Sequence, residues 1–139
     1  MATVELLISP LPVHVRTARL IGVAAARRAG LDDERVDELR LALGEACSRA
    51  VALHAVHAPE VPVKIVLRDD PMGLTVEITD VGPESGPVSD DVEDLFGEDE
   101  VDPRVALAVL IGLVDDVMIS PSEAGTTVSM RWPLLVKTG

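Results

Sequence analysis

The chain has 139 residues, is 47% hydrophobic and carries a formal net charge of −12. This length predicts one compact domain over residues 1–139 with a single core. The 24 acids outnumber the 12 bases and would repel a phosphate backbone or an anionic membrane surface, which excludes nucleic acid and membranes as partners and favours basic protein surfaces. With one Cys, no signal-peptide pattern and no apolar run of the roughly 20 residues that a membrane helix needs, we expect a cytoplasmic protein.

The first part of the chain predicts one strand and two helices. A short apolar run over residues 4–8 indicates the strand, and a helix over about residues 12–28 is closed by Gly30. Asp32 or Asp33 is a suitable N-cap for the second helix. The apolar positions of this second helix recur with helical spacing at Val36, Leu39, Leu43, Ala46, Cys47 and Ala50.

A β-hairpin follows the second helix. Apolar and polar residues alternate over residues 63–68 and again over 74–79, and residues 69–73 contain the Asp, Pro and Gly of a turn. Residues 81–103 then lose this periodicity, which predicts a loop far longer than the roughly 4 to 6 residues of most connections. A loop of that length in so small a domain indicates either a functional lid or a disordered segment.

The last part of the chain predicts a helix over about residues 103–114 and strands over 117–119 and 126–132. The predicted order is therefore β-α-α-β-β-α-β-β. Hairpins in place of regular βαβ units favour an antiparallel or mixed sheet with the helices on one face. The predicted fold class is α+β, a two-layer α/β sandwich.

The second helix places Glu45 and Arg49 one turn apart. The simplest interpretation is a favourable helix ion pair worth about 0.3 to 0.5 kcal/mol. Cys47 lies on the apolar stripe and is expected to be a buried core residue, not a nucleophile. His54 and His57 have no identifiable third and fourth ligands, so no metal site is predicted.

Three stretches together carry a family resemblance: DELRLALGEACSRAV on the second helix, VEITDVGPESG at a strand end, and LIGLVDDVMISPSEAGTTVSMRWPL near the C-terminal end. They resemble the anti-sigma factor serine kinases (RsbW-like) of the GHKL ATPase superfamily, which are similar to histidine-kinase ATP-binding domains. The resemblance covers nearly the whole chain in order. It implies the Bergerat fold.

The first family motif implies that Glu45 stands where the family keeps the base that activates the attacking hydroxyl. Arg49 stands where the family keeps an Asn that ligates magnesium. A guanidinium has no acceptor lone pair and a fixed positive charge, so it cannot ligate a cation. Glu45 is therefore a vestigial base and no metal ligand set is expected. An alternative is that Arg49 contacts a phosphate directly.

The second motif implies an adenine site. Asp80 stands at the family's adenine-binding Asp and Gly82 at the first glycine of the motif, whereas Glu84 replaces the second glycine. The closing Gly-Thr-Thr motif matches that of the family, and the resemblance implies that Thr126 helps to hold Asp80 through water. These residues are the expected remains of a nucleotide site.

The third motif should provide two glycines that cradle phosphate where the lid meets the next helix. Counting back from Val117 places them at Arg104 and Ala106, so both glycines are absent. Arg104 could still contact a phosphate. The lid that precedes it has no Lys or Arg and nine acids: Glu84, Asp90, Asp91, Glu93, Asp94, Glu98, Asp99, Glu100 and Asp102.

The resemblance implies a regulatory protein that binds a sigma factor or a STAS-type anti-anti-sigma partner. The missing motif residues predict that ATP binding and kinase activity are weak or lost, with no cofactor. The alternative is an active serine kinase that uses ATP and magnesium to phosphorylate a STAS partner, and a third is an ATP-sensing module. A homodimer that pairs through the sheet is also expected from the family.

Overall fold

The computed structural model describes residues 2–81, 110 and 112–134. Two helices cover one face of a five-stranded antiparallel sheet with strand order β1-β2-β3-β5-β4, which confirms the predicted two-layer α+β sandwich. The elements are β1 Ala2–Ile8, α1 Val13–Ala29, α2 Asp33–His57, β2 Val63–Asp70, β3 Gly73–Asp80, β4 Val117–Ser122 and β5 Gly125–Pro133.

The predicted lid and most of the predicted third helix lie outside the described residues. Only Val81 of the lid is described, and residues 110, 112 and 113 near the expected end of the helix are helical. A backbone hydrogen bond of 3.0 Å from the Val114 amide to the Leu110 carbonyl belongs to the same turn.

The helix ends follow the sequence signals. Gly30 adopts the left-handed conformation, with φ of 94°, and ends α1. Asp32 is the N-cap of α2, and its carboxylate accepts a hydrogen bond of 2.9 Å from the Arg35 amide. The two helices approach closely at Gly22, where a side chain would overlap Leu43. This close packing fixes α2 against α1.

Alternation along the strands decides which side chains meet the helices. In β3 and β5 the buried hydrophobic side chains are Leu74, Val76, Ile78, Val128, Met130 and Trp132. The opposite face carries charged side chains, including the ion pairs Lys64 to Glu5 and Arg68 to Glu77. The sheet therefore has one apolar face toward the helices and one polar face.

The same alternation carries two polar residues into the helix-facing layer. Asp80 continues the buried series of β3, and Thr126 begins the buried series of β5. The two residues are register partners across the strand pair. They lie at the edge of the core, facing the helical layer. In the part of the chain that the structure describes, no helix combines the length and the apolar character needed to cross a membrane.

Candidate functional site

Arg49 and Asp80 form a buried ion pair between α2 and the end of β3. Nη1 of Arg49 donates to Oδ2 of Asp80 at 2.7 Å, and each side chain is only 1% exposed. The interpretation of Glu45 and Arg49 as a helix pair is therefore wrong. Glu45 is half-buried one turn earlier, and no ion pair between the two is present among the described residues.

The helix geometry explains why Arg49 is buried. Ala46 precedes Arg49 by three residues and Leu53 follows it by four, so both lie on the same side of α2 as Arg49, and both are buried. A charged group on that face is tolerated only with a counter-charge. Asp80 supplies it because the strand alternation directs its carboxylate toward the helices.

The start of β5 is pressed against the backbone of Asp80. Gly125 has φ of 144°, and a Cβ at this position would overlap the Asp80 carbonyl oxygen and come within 2.8 Å of the Val81 Cα. Only glycine fits both the conformation and the space. The first residue of the Gly-Thr-Thr motif thus sets the distance between the two strands beside the ion pair.

Thr126 follows directly and is 1% exposed. It faces the same layer as Asp80, its register partner. Its hydroxyl has no hydrogen-bond partner among the described residues, and the same is true of Nε and Nη2 of Arg49. The structure therefore brings three of the predicted site residues together at one end of the sheet.

His54 is a site residue that the sequence interpretation missed. It is fully buried on α2; its Nδ1 lies 2.7 Å from the Val61 carbonyl oxygen, and its Nε2 accepts from the Val81 amide at 2.9 Å. The Val81 N–H requires a lone pair on Nε2, so these contacts assign the proton to Nδ1. His54 thereby ties the residue after Asp80 to the end of α2. Its helical spacing from Ala50 is the signal that could have placed it in the core.

Cys47 is confirmed as a core residue. It is fully buried, and burial raises the pKa of its thiol to about 12. A thiol in that state is not a nucleophile at neutral pH. The remaining predicted site residues, Gly82 and Arg104, lie outside the described residues, and so do the positions of the third motif.

Comparison with known proteins identifies the class. The family described as histidine kinase-like ATPase domain matches residues 8–132, and the chain belongs to this family. The anti-sigma factor kinases that the sequence resembles have this fold.

Among solved structures, the chain is similar to the RsbU and RsbW domains of Rv1364c from Mycobacterium tuberculosis, with a TM-score of 0.66 and 14% identity. The match covers 94% of this chain and 31% of that one. At this identity the likeness shows the fold alone. No curated protein sequence matches the chain significantly.

Proposed function

We propose that this protein is a cytoplasmic regulator of the anti-sigma type, which acts by binding a sigma factor or a STAS-type anti-anti-sigma partner. In this proposal its ATP binding and its kinase activity are weak or lost. The observation that carries it is the Arg49–Asp80 ion pair. This pair joins the position of the family's magnesium ligand to the position of the family's adenine ligand.

The residues present do not fit magnesium. Magnesium requires oxygen ligands in near-ideal octahedral geometry. Arg49 has only donors and a fixed positive charge at the position where the family has an Asn oxygen. Its nearness would repel the cation.

The residues also fit adenine poorly. The family's Asp accepts a hydrogen bond from the adenine amino group, whereas Asp80 accepts a charge-assisted bond from Arg49 at 2.7 Å. A neutral amino group is a weaker donor than a guanidinium. Adenine would therefore have to compete with an intramolecular ion pair for the same carboxylate.

The sequence around the described site supports the same conclusion. Glu84, Arg104 and Ala106 stand where the family has glycines, and the intervening segment carries nine acids and no base. Those acids would repel the phosphates of ATP. These glycine losses fall in two separate motifs and are distinct from the Asn loss at Arg49, so no single substitution would restore the site.

The family supports the class of partner. The chain resembles anti-sigma factor kinases, and the similar solved structure contains an RsbW domain. A member that has lost phosphoryl transfer can still regulate transcription by sequestering its partner. We expect complex formation that is independent of ATP, and a homodimer that pairs through the sheet, which light scattering would detect.

Calorimetric titration with ATP tests the proposal. We expect no binding tighter than about 1 mM, which corresponds to about −4 kcal/mol, either with or without magnesium. The Asp80 carboxylate is already engaged and the metal has lost a ligand. Micromolar binding that requires magnesium would contradict the proposal and favour an active kinase.

The Arg49→Asn variant is the matched comparison, in an assay of phosphoryl transfer from ATP to a STAS partner. It restores the family residue at one position and leaves Glu84, Arg104 and Ala106 unchanged. We expect it to show no phosphoryl transfer to a STAS partner. Phosphoryl transfer by Arg49→Asn would contradict this expectation. It would show that ATP can bind productively although Glu84, Arg104 and Ala106 replace the glycines of the family.

A further inference from the structure

Three buried polar atoms, two on the arginine of the Asp80 ion pair and one on the strand partner of Asp80, have no hydrogen-bond partners among the described residues. They are Nε and Nη2 of Arg49 and Oγ1 of Thr126. Taken as whole residues, Arg49 is 3% and Thr126 is 1% exposed, so bulk solvent does not satisfy these atoms. Buried polar groups in native proteins are nearly always hydrogen-bonded. The cluster therefore indicates a further binding partner.

The ion pair and the strand register hold the three atoms near one another. Arg49 reaches Asp80 through Nη1 at 2.7 Å. Thr126 is the register partner of Asp80, and paired residues on antiparallel strands have Cα atoms about 4.5 to 5.5 Å apart. Arg49 thus contacts the Asp80 carboxylate from α2, and Thr126 lies beside Asp80 on the paired strand β5.

The unused edge of Arg49 has a specific chemistry. Nε and Nη2 form one side of the planar guanidinium, and their two N–H groups point in nearly parallel directions. Such an edge matches two oxygens of a carboxylate or a phosphate. The Thr126 hydroxyl can rotate and donate a third hydrogen bond. The cluster therefore offers donors to an acceptor ligand, whereas the family's Asp offers an acceptor to the adenine amino group.

We infer that Arg49 and Thr126 form a binding site for a small oxyanion, a carboxylate or a phosphate group, beside the Asp80 ion pair. The inference rests on the proposed function, since it requires that ATP does not take this place. The protein would then sense an acidic metabolite at the site where its relatives bind a nucleotide. Asp80 already balances the charge of Arg49 and the chain is strongly acidic, so the affinity is weak and falls with added salt.

Proton–nitrogen NMR of the arginine side chains tests this inference directly. The probes are sodium phosphate and sodium acetate, titrated separately, with sodium chloride at matched ionic strength as the reference. We expect the Arg49 Nε–H resonance to move downfield and saturate with at least one oxyanion, and not with chloride. The titration that saturates, with phosphate or with acetate, identifies which oxyanion binds. The exposed Arg40 should show no saturable shift.

Two variants separate the roles of the side chains. Thr126→Val keeps the shape and removes the hydroxyl, and we expect about fivefold weaker oxyanion binding from the loss of one hydrogen bond. Arg49→Lys keeps the charge and removes the parallel donors, and we expect a loss of at least about tenfold, as a charge-assisted bidentate contact implies. If Arg49→Lys does not fold, the titrations of the wild-type protein and of Thr126→Val still test whether an oxyanion binds at this site.

The result that overturns the inference is an Arg49 resonance that shifts with neither oxyanion beyond the chloride reference. Water would then satisfy the three atoms. A titration of the same sample with ATP and magnesium separates the two proposals. Saturable ATP binding contradicts the proposed function, whereas failure of phosphate and acetate without ATP binding overturns only the oxyanion site.

Discussion

Replacing Arg49 with methionine is expected to lower the free energy of unfolding by about 3 to 5 kcal/mol, because the Asp80 carboxylate stays buried without its guanidinium. That is a large part of the roughly 5 to 15 kcal/mol by which domains are stable. Urea unfolding, followed by circular dichroism, measures the change. If the slope of the unfolding free energy against urea concentration is unchanged, the substitution has altered stability and not the compactness of the folded or unfolded state.

The double variant Arg49→Met with Asp80→Leu isolates the interaction. Removing both charges leaves no buried carboxylate without its counter-ion, so the double variant should be more stable than either single variant, with a coupling energy of about 2 kcal/mol or more.

Arg40→Met is the matched control for Arg49→Met. Arg40 pairs with Asp37 at 3.3 Å, and its side chain is 49% exposed. Its loss should cost less than about 1 kcal/mol. Equal losses of unfolding free energy in Arg49→Met and Arg40→Met would contradict a buried ion pair between Arg49 and Asp80.

Replacing Gly125 with alanine is expected to destabilise the protein by about 2 to 6 kcal/mol. Roughly 1 to 3 kcal/mol comes from a positive φ that alanine rarely adopts, and a similar amount from overlap with the backbone of Asp80. Gly125 has φ of 144° and lies against the Asp80 carbonyl. Thermal unfolding measures the loss. Backbone NMR shifts should change most at Asp80, Val81 and Thr126.

Gly112 is the matched control for this substitution. A Cβ there meets nothing within 4 Å, and the residue is helical. Alanine at Gly112 should leave stability unchanged or raise it by up to about 1 kcal/mol, since alanine favours helices. If both alanine variants behaved alike, the close approach of β5 to Asp80 would be excluded.

Much of the fold could be predicted from local patterns. The alternation over residues 63–68 and 74–79 predicted the hairpin, and the helical spacing from Val36 to Ala50 predicted the buried face of α2. Both were confirmed because each pattern reports burial directly. Gly30 and Asp32 mark helix ends through their own backbone and side-chain chemistry, so their roles were also visible in the sequence.

The contacts of the site could not be predicted in the same way. The partner of Arg49 lies 31 residues away along the chain, and Glu45 offered a plausible partner within the same helix. Choosing between them requires the strand register that directs Asp80 inward. The roles of His54 and Gly125 likewise depend on backbone groups of Val81 and Asp80 at the end of β3, which no spacing in the sequence reveals.

A crystal structure of the protein grown with ATP and magnesium tests the central claim most directly. The claim predicts that Nη1 of Arg49 remains within hydrogen-bond distance of Oδ2 of Asp80 and that no adenine lies against that carboxylate. The contradicting result is an adenine amino group bonded to Asp80, with Arg49 displaced and a magnesium ion beside α2.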